Sequence, residues 1–172
     1  MRRSALVLAV ALIASATSPV AAAPAASIDL LKAFRVELPK IKRATRVPVL
    51  LPRSLLLAGS PAGRVYASGG VQRGGWVLTL AGAPGCASAN ACYLASFEAR
   101  RGGGLPGRSN VRLANGVRGF YLPIGCGASC SPASLWFVHG GVLNSWQVKH
   151  PPRKARAALV RMANEAIRAG PR

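Results

Sequence analysis

The chain has 172 residues, 51% of them hydrophobic, which is enough for one domain with its own core and excludes a disordered tail protein. Against 23 Lys and Arg stand four acids, Asp29, Glu37, Glu98 and Glu165, for a formal charge of +19. Such a balance predicts attraction to polyanions, although the Ala, Gly, Pro and Arg bias of a GC-rich genome yields the same excess, so charge alone assigns no partner.

The chain opens MRRSALVLAVALIASATSPVAAAPAAS. Arg2 and Arg3 form a basic start, Ser4 to Ala16 an apolar run, and Val20-Ala21-Ala22 or Ala21-Ala22-Ala23 a site suited to signal peptidase. Ser15, Thr17, Ser18 and Pro19 interrupt the run before the ~18–20 apolar residues of a membrane anchor accumulate. The first cysteine is Cys86, so no lipid anchor is expected at this cleavage region. The expectation is a signal peptide over residues 1–23, cut near 22–26, then one domain over 27–172, exported to the periplasm or secreted. Without Arg2 and Arg3 the basic count is 21 against four acids, a formal +17.

Ser27 is positioned to cap a short helix over 28–36, with Asp29 in its first turn, Leu31, Phe34 and Leu38 as its apolar stripe, and Pro39 as its stop. Residues 43–52, RATRVPVLLP, read as an extended segment that Pro48 and Pro52 confine to an edge strand or a strand start. Residues 64–68 form a short strand candidate. Residues 76–80 alternate, with Trp76, Leu78 and Leu80 on one side, and residues 93–99 alternate again, with Glu98 beside Arg100 and Arg101 in an ion-pair setting. Residues 100–107, RRGGGLPG, are a basic loop. Asn115-Gly116 predicts a two-residue turn between 111–114 and 117–122, since both residues tolerate positive φ. That turn sets Arg118 opposite Leu113, an imperfect alternation that suggests a register one residue away.

Four cysteines sit in two short loops, GCASANAC (85–92) and GCGASC (125–130). In an oxidising compartment they pair, and the local pairing Cys86–Cys92 and Cys126–Cys130 needs no special fold to bring the sulfurs together. Chain entropy gives each such loop about 2 kcal/mol, against about 4 for a bridge from Cys86 to Cys126. The rival is a four-cysteine zinc site, but structural zinc takes two to four residues between paired ligands, and export exposes thiolates to oxidation.

In LWFVHGGVLNSWQVKH (135–150) a turn at Gly140-Gly141 pairs His139 with Val142, Phe137 with Asn144 and Leu135 with Trp146. Leu135, Phe137, Val142, Trp146 and Val148 then form the core side. The opposite face is mixed, with Trp136, Val138 and Leu143 beside Ser145, Gln147 and Lys149. After Pro151-Pro152, Ala155, Ala158, Leu159, Met162, Ala163, Ala166 and Ile167 keep helical spacing, and Gly170-Pro171 is a helix stop. The sum is an α+β domain: a curved, mainly antiparallel sheet with a C-terminal helix on one face and a short N-terminal helix.

Catalytic signatures are missing. His139 falls at a hairpin turn and His150 beside two prolines; GxSxG, HExxH and GxxxxGK[ST] do not occur, and Gly102–Gly104 lacks the strand–turn–helix setting of a phosphate cradle. A non-enzymatic protein without cofactor or metal is expected. Two basic groups stand out as candidate polyanion contacts: Arg100, Arg101, Arg108, Arg112 and Arg118, then Arg153, Lys154 and Arg156, with Arg161 nearby. Aromatics make up only 6%, and Tyr93, Phe97 and Trp146 fall on core positions, so base stacking and specific nucleic-acid binding are not expected.

GVRGFYLP (116–123), LWFVHGGVLNSWQVKH and LVRMANEAI (159–167) together resemble small uncharacterised exported bacterial proteins. They are also similar to an extracytoplasmic domain of unknown function on some anti-sigma-factor-like membrane proteins. The resemblance implies the fold and export and carries no active site; the central membrane helix and cytoplasmic part of those relatives have no counterpart here. The functional expectation is an exported, disulfide-bonded basic domain associating with anionic envelope polymers or lipid headgroups. The alternative is a sensory or interaction module that binds a specific protein or small ligand on the sheet face, for which a pocket lined by a tryptophan would be the sign. Intact mass of the exported protein is expected to show a start near residues 22–26, no alkylation before reduction and four alkyl groups after it. A retained Met1 with four free thiols would contradict export.

Overall fold

A computed structural model describes residues 26–59, 64–86, 92–127 and 129–172. The expected signal peptide lies outside the described residues. β1 (Ala26–Asp29) pairs with β2 (Ser54–Leu57) in a two-stranded sheet, and α1 (Leu30–Ala33) and α2 (Glu37–Ala44) lie between them in the chain. The single helix expected over 28–36 is thus replaced by two. Ser27 belongs to β1, and Asp29 is the cap, its carboxylate accepting from the Lys32 N–H at 2.9 Å. Pro39 does not stop a helix but sits in the first turn of α2. There its missing N–H costs nothing, because the first N–H groups of a helix have no intrahelical acceptor. The 43–52 segment forms no strand: α2 takes up residues to Ala44, and β2 begins only at Ser54. Val47, Val49, Leu50 and Leu51 are nonetheless buried in the core.

The main sheet has seven antiparallel strands: β3 (Tyr66–Gln72), β4 (Gly75–Ala81), β5 (Tyr93–Arg101), β6 (Val111–Arg112), β7 (Arg118–Leu122), β10 (Ala133–His139) and β11 (Val142–Val148). Their order is β3-β4-β5-β11-β10-β7-β6, so the last strand is inserted between β5 and β10. The Gly140-Gly141 turn has φ of 57° and 73°, and His139↔Val142, Phe137↔Asn144 and Leu135↔Trp146 pair in the expected register. The turn before β7 differs. Arg112 faces Arg118 and Val111 faces Gly119, one residue from the two-residue-turn register. The reason is local: a 3-10 turn spans Ala114–Gly116, and the Leu113 N–H donates to the Val117 carbonyl at 2.8 Å, which widens the loop.

Side-chain alternation sorts the sheet into two faces. Trp76, Leu78, Leu80, Ala95, Phe97, Leu135, Phe137, Trp146 and Val148 are buried together with the apolar side of α3 (Ala155–Ala169), which contributes Leu159, Met162, Ala163, Ala166 and Ile167. Each large apolar side chain buried in this way contributes about 1.5–3 kcal/mol. The helix is tied down at mid-length. Asn164 Oδ1 accepts from the Ala114 N–H at 2.6 Å, and Glu165 Oε1 accepts from the Arg53 N–H at 2.9 Å while pairing with Arg172 at 3.8 Å.

The cysteines join as Cys86–Cys92 and Cys126–Cys130, with Cα atoms 5.8 and 4.0 Å apart. The second bond closes a small ribbon of β8 (Gly125–Cys126) and β9 (Cys130–Ser131). With all four sulfurs paired none is a thiolate, and the zinc alternative falls.

Gly75 is buried where β4 meets β5, and a Cβ there would run into the Ala99 carbonyl. Gly75→Ala is therefore expected to cost about 3 kcal/mol in urea unfolding. Gly70→Ala, where nothing lies within 4 Å, is expected to shift stability by less than about 1 kcal/mol.

Candidate functional site

Among the described residues two clefts hold candidate polyanion contacts, and they share no lining residue. The first is a groove of about 650 Å³ between the β6–β7 hairpin and the start of α3, lined by Asn110, Arg112, Tyr121, Arg153, Lys154 and Arg156 among others. The hairpin wall is set by Asn110. Its side-chain amide donates to the Tyr121 carbonyl at 2.8 Å and its Oδ1 accepts from the Tyr121 N–H at 2.7 Å, extending the β6–β7 pairing by one rung. The Arg156 guanidinium donates to the Asn110 carbonyl and so bridges helix and hairpin. The first turn of α3 holds no acid and receives no side-chain cap, so its N–H dipoles add to the positive field of the cations. Burial raises the Tyr121 phenol above its ordinary value, and the Arg156 charge offsets part of that rise. No carboxylate lines this groove.

Of the eight candidate polyanion contacts, Arg112, Arg153, Lys154 and Arg156 meet here. Arg118 lies directly opposite Arg112 across the hairpin, close enough to share its field. The other three are elsewhere. Arg101 donates to the Arg46 carbonyl at 3.4 Å. Arg108 is exposed in the loop before β6 and lines neither cleft, and Arg100 lines the second one.

That second cleft, of about 380 Å³, lies on the sheet face away from α3. Its floor is one cross-strand row: Glu98 of β5, Ser145 of β11 and Trp136 of β10. Arg100 and Leu143 form the next row, and Gln72 and Arg73 close it from the β3–β4 turn. The Trp136 ring is braced by Phe120, with centroids 5.8 Å apart and planes at 40°. The loop after β5 covers part of this face: a side chain at Gly107 would touch Phe120, and one at Gly103 would touch Leu143. The Ser96 hydroxyl donates to Glu98 Oε1 at 3.3 Å.

The ion-pair setting expected of Glu98 is not what the structure holds. Among the described residues the ion pair present is Arg172–Glu165, and no guanidinium reaches Glu98. Arg100 shares its face but lies one row on, and Arg101 is turned to the opposite side by strand alternation. Glu98 as a cleft residue has one signal in the sequence, the pattern of Ser96, Glu98 and Arg100 alternating against Phe97 and Ala99. Its partners Ser145 and Trp136 come from strands distant in the chain. Neither His139 nor His150 lines either cleft.

No family model, no curated protein and no solved structure matches this chain.

Burial also raises the phenol of Tyr93, which is 8% exposed. A phenol whose folded pKa lies above its unfolded value keeps its full stabilising share below about pH 10 and loses it as pH rises through the folded pKa. Wild-type stability is therefore expected to fall as pH rises above about 10, and the Tyr93→Phe, Tyr121→Phe double variant to fall less. Equal loss in both proteins, measured by urea unfolding at matched pH, would contradict the assignment.

Proposed function

We propose that the chain is an exported, disulfide-bonded, non-enzymatic domain that associates with phosphate-bearing envelope material through the basic groove at the start of α3. One observation carries this reading: Arg112, Arg153, Lys154 and Arg156 line a single cavity that no carboxylate enters. Scattered cations on a protein of formal charge +19 give a diffuse field. Four around one groove give a local potential that a phosphate group satisfies by charge-assisted hydrogen bonds. One further observation supports export: both cysteine pairs are joined, and such disulfides persist in an oxidising compartment. A second reading, a small-ligand site on the sheet face, is favoured by the cleft that Trp136 and Glu98 line.

The test is binding of the purified exported protein to phosphatidylglycerol vesicles and, separately, to soluble polyglycerol phosphate. Binding is expected to weaken steeply between about 50 and 200 mM salt. The Arg153→Ala, Lys154→Ala double variant is expected to lose about 2 kcal/mol, roughly thirtyfold, toward vesicles. Binding to vesicles alone identifies a headgroup, and binding to both identifies phosphate itself. Absence of binding at the lowest salt, or a double variant indistinguishable from wild type, overturns the proposal.

A further inference from the structure

We propose that the cleft between Glu98 and Trp136 is a separate binding site for a carboxylate-bearing sugar ring, a hexuronate unit of an acidic polysaccharide. The starting point is what the cleft does not neutralise. It brings Glu98 together with Arg73 and Arg100, yet among the described residues no guanidinium stands within ion-pair distance of the carboxylate. A ligand that satisfies all three carries an anion for the arginines and hydrogen-bond donors for the glutamate. A simple polyanion fails on Glu98, a cation fails on the arginines, and an apolar molecule leaves both signs of charge desolvated and unpaired.

The geometry adds shape to this charge pattern. Glu98 and Trp136 stand two strands apart in one row, about 10 Å across at the usual strand spacing, with the small Ser145 between them. The short serine leaves a hollow floor, and the cavity of about 380 Å³ falls within the ~300–1,000 Å³ of small-molecule sites. Trp136 is partly buried and held by Phe120, so an apolar ring face is already fixed at one wall. The C–H face of a pyranose stacks on such a wall. Its hydroxyls then reach the Glu98 oxygens, one of which Ser96 already orients, and its carboxylate meets Arg73 and Arg100 as a charge-assisted pair.

A trimer of galacturonic acid is the probe, with a neutral glucose trimer of the same length as control. Tryptophan fluorescence reports this cleft selectively, because Trp76 and Trp146 are 0% exposed. At about 150 mM salt, where distant charges are screened, the acidic trimer is expected to change the Trp136 signal and to bind roughly tenfold more tightly than the neutral one. Glu98→Gln decides the mechanism by sign. A donor-recognising site loses roughly tenfold in affinity, whereas association driven by net charge tightens when a carboxylate is removed. Arg73→Ala, in an exposed turn, is expected to weaken the acidic trimer and bring it toward the neutral one. Arg153→Ala with Lys154→Ala is expected to leave the fluorescence titration within about twofold, which separates this site from the groove. No response to the acidic trimer, or unchanged or tighter binding by Glu98→Gln with an intact circular-dichroism spectrum, overturns the assignment.

Discussion

The molecule depends on the packing of Trp146. Its indole stands edge-on to Phe97 at 5.6 Å and to Phe137 at 5.2 Å, and Phe97 in turn meets Phe34 at 6.3 Å. Those contacts join β5, β11 and β10 to the chain between the two N-terminal helices. Each aromatic pair adds about 0.5–1.5 kcal/mol beyond its buried area, but the larger consequence is register. Side chains in a strand alternate, so fixing three rings on the inner face turns Glu98, Ser145 and Trp136 outward in a single row. A slip of one residue would bury Glu98 and expel Phe97. The same strand tolerates a cost. Asn144 and the Trp146 indole N–H are buried, and Asn144 Oδ1 and Trp146 Nε1 have no hydrogen-bond partner among the described residues. Orphaned polar atoms of this kind cost about 1–3 kcal/mol each, and they sit where aromatic packing is densest.

The basic groove depends on the same core by a second route. Met162, Ala163, Ala166 and Ile167 press α3 onto the sheet, and Asn164 and Glu165 between them hold the turn before β7 and the chain before β2. The helix is thus fixed along its length while its first turn stays open to the β6–β7 hairpin. Arg112 faces Arg118 across that hairpin, where like charges directly opposite are unfavourable. Asn110 offsets this by adding two hydrogen bonds to Tyr121 at the hairpin end. Anchoring comes from neutral amides, from Glu165 and from Arg156 and Arg172, while Arg112, Arg153 and Lys154 line the groove.

Elements with a complete local signal were legible in the sequence. The Gly140-Gly141 hairpin is one, because alternation on both flanks and two residues suited to positive φ fix a single register. The C-terminal helix is another, since its apolar spacing runs unbroken to the Gly170 stop. The cysteine pairs followed from proximity along the chain. Where two local signals competed, the reading failed. Ser27 and Asp29 both suit a cap, and Pro39 suits a helix's first turn as well as its end. Leu113 and Val117 widened the Asn115-Gly116 turn through a backbone bond that no pattern announces. The cleft at Glu98 was illegible for a deeper reason: it exists because β11 inserts between β5 and β10, a pairing between distant segments that periodicity cannot supply. The basic groove was half legible, in that the residues were identified while their division among three places was not.

Acids in this chain are scarce, and their uses differ. Asp29 caps α1, Glu37 lies in the first turn of α2, and Glu165 ties α3 to Arg53 and Arg172. Each answers a backbone or charge requirement of the fold. Glu98 answers none of that kind; among the described residues its hydrogen bond comes from Ser96, two positions back, and it shares a cleft with Arg73 and Arg100, which do not pair with it. A groove of like charges acts at range and fades with salt over a Debye length of about 8 Å at physiological ionic strength. A cleft of mixed charges acts only at contact, and its discrimination survives screening. On the two proposals above, the groove would raise the local concentration of an anionic polymer, and the cleft would test a single ring of it. Linked sites of modest strength then bind as one, because the second encounter is intramolecular. In that proposed arrangement the positive charge and the carboxylate of Glu98 are complementary: without the groove the cleft would meet its ligand rarely, and without Glu98 the charge would hold every polyanion alike.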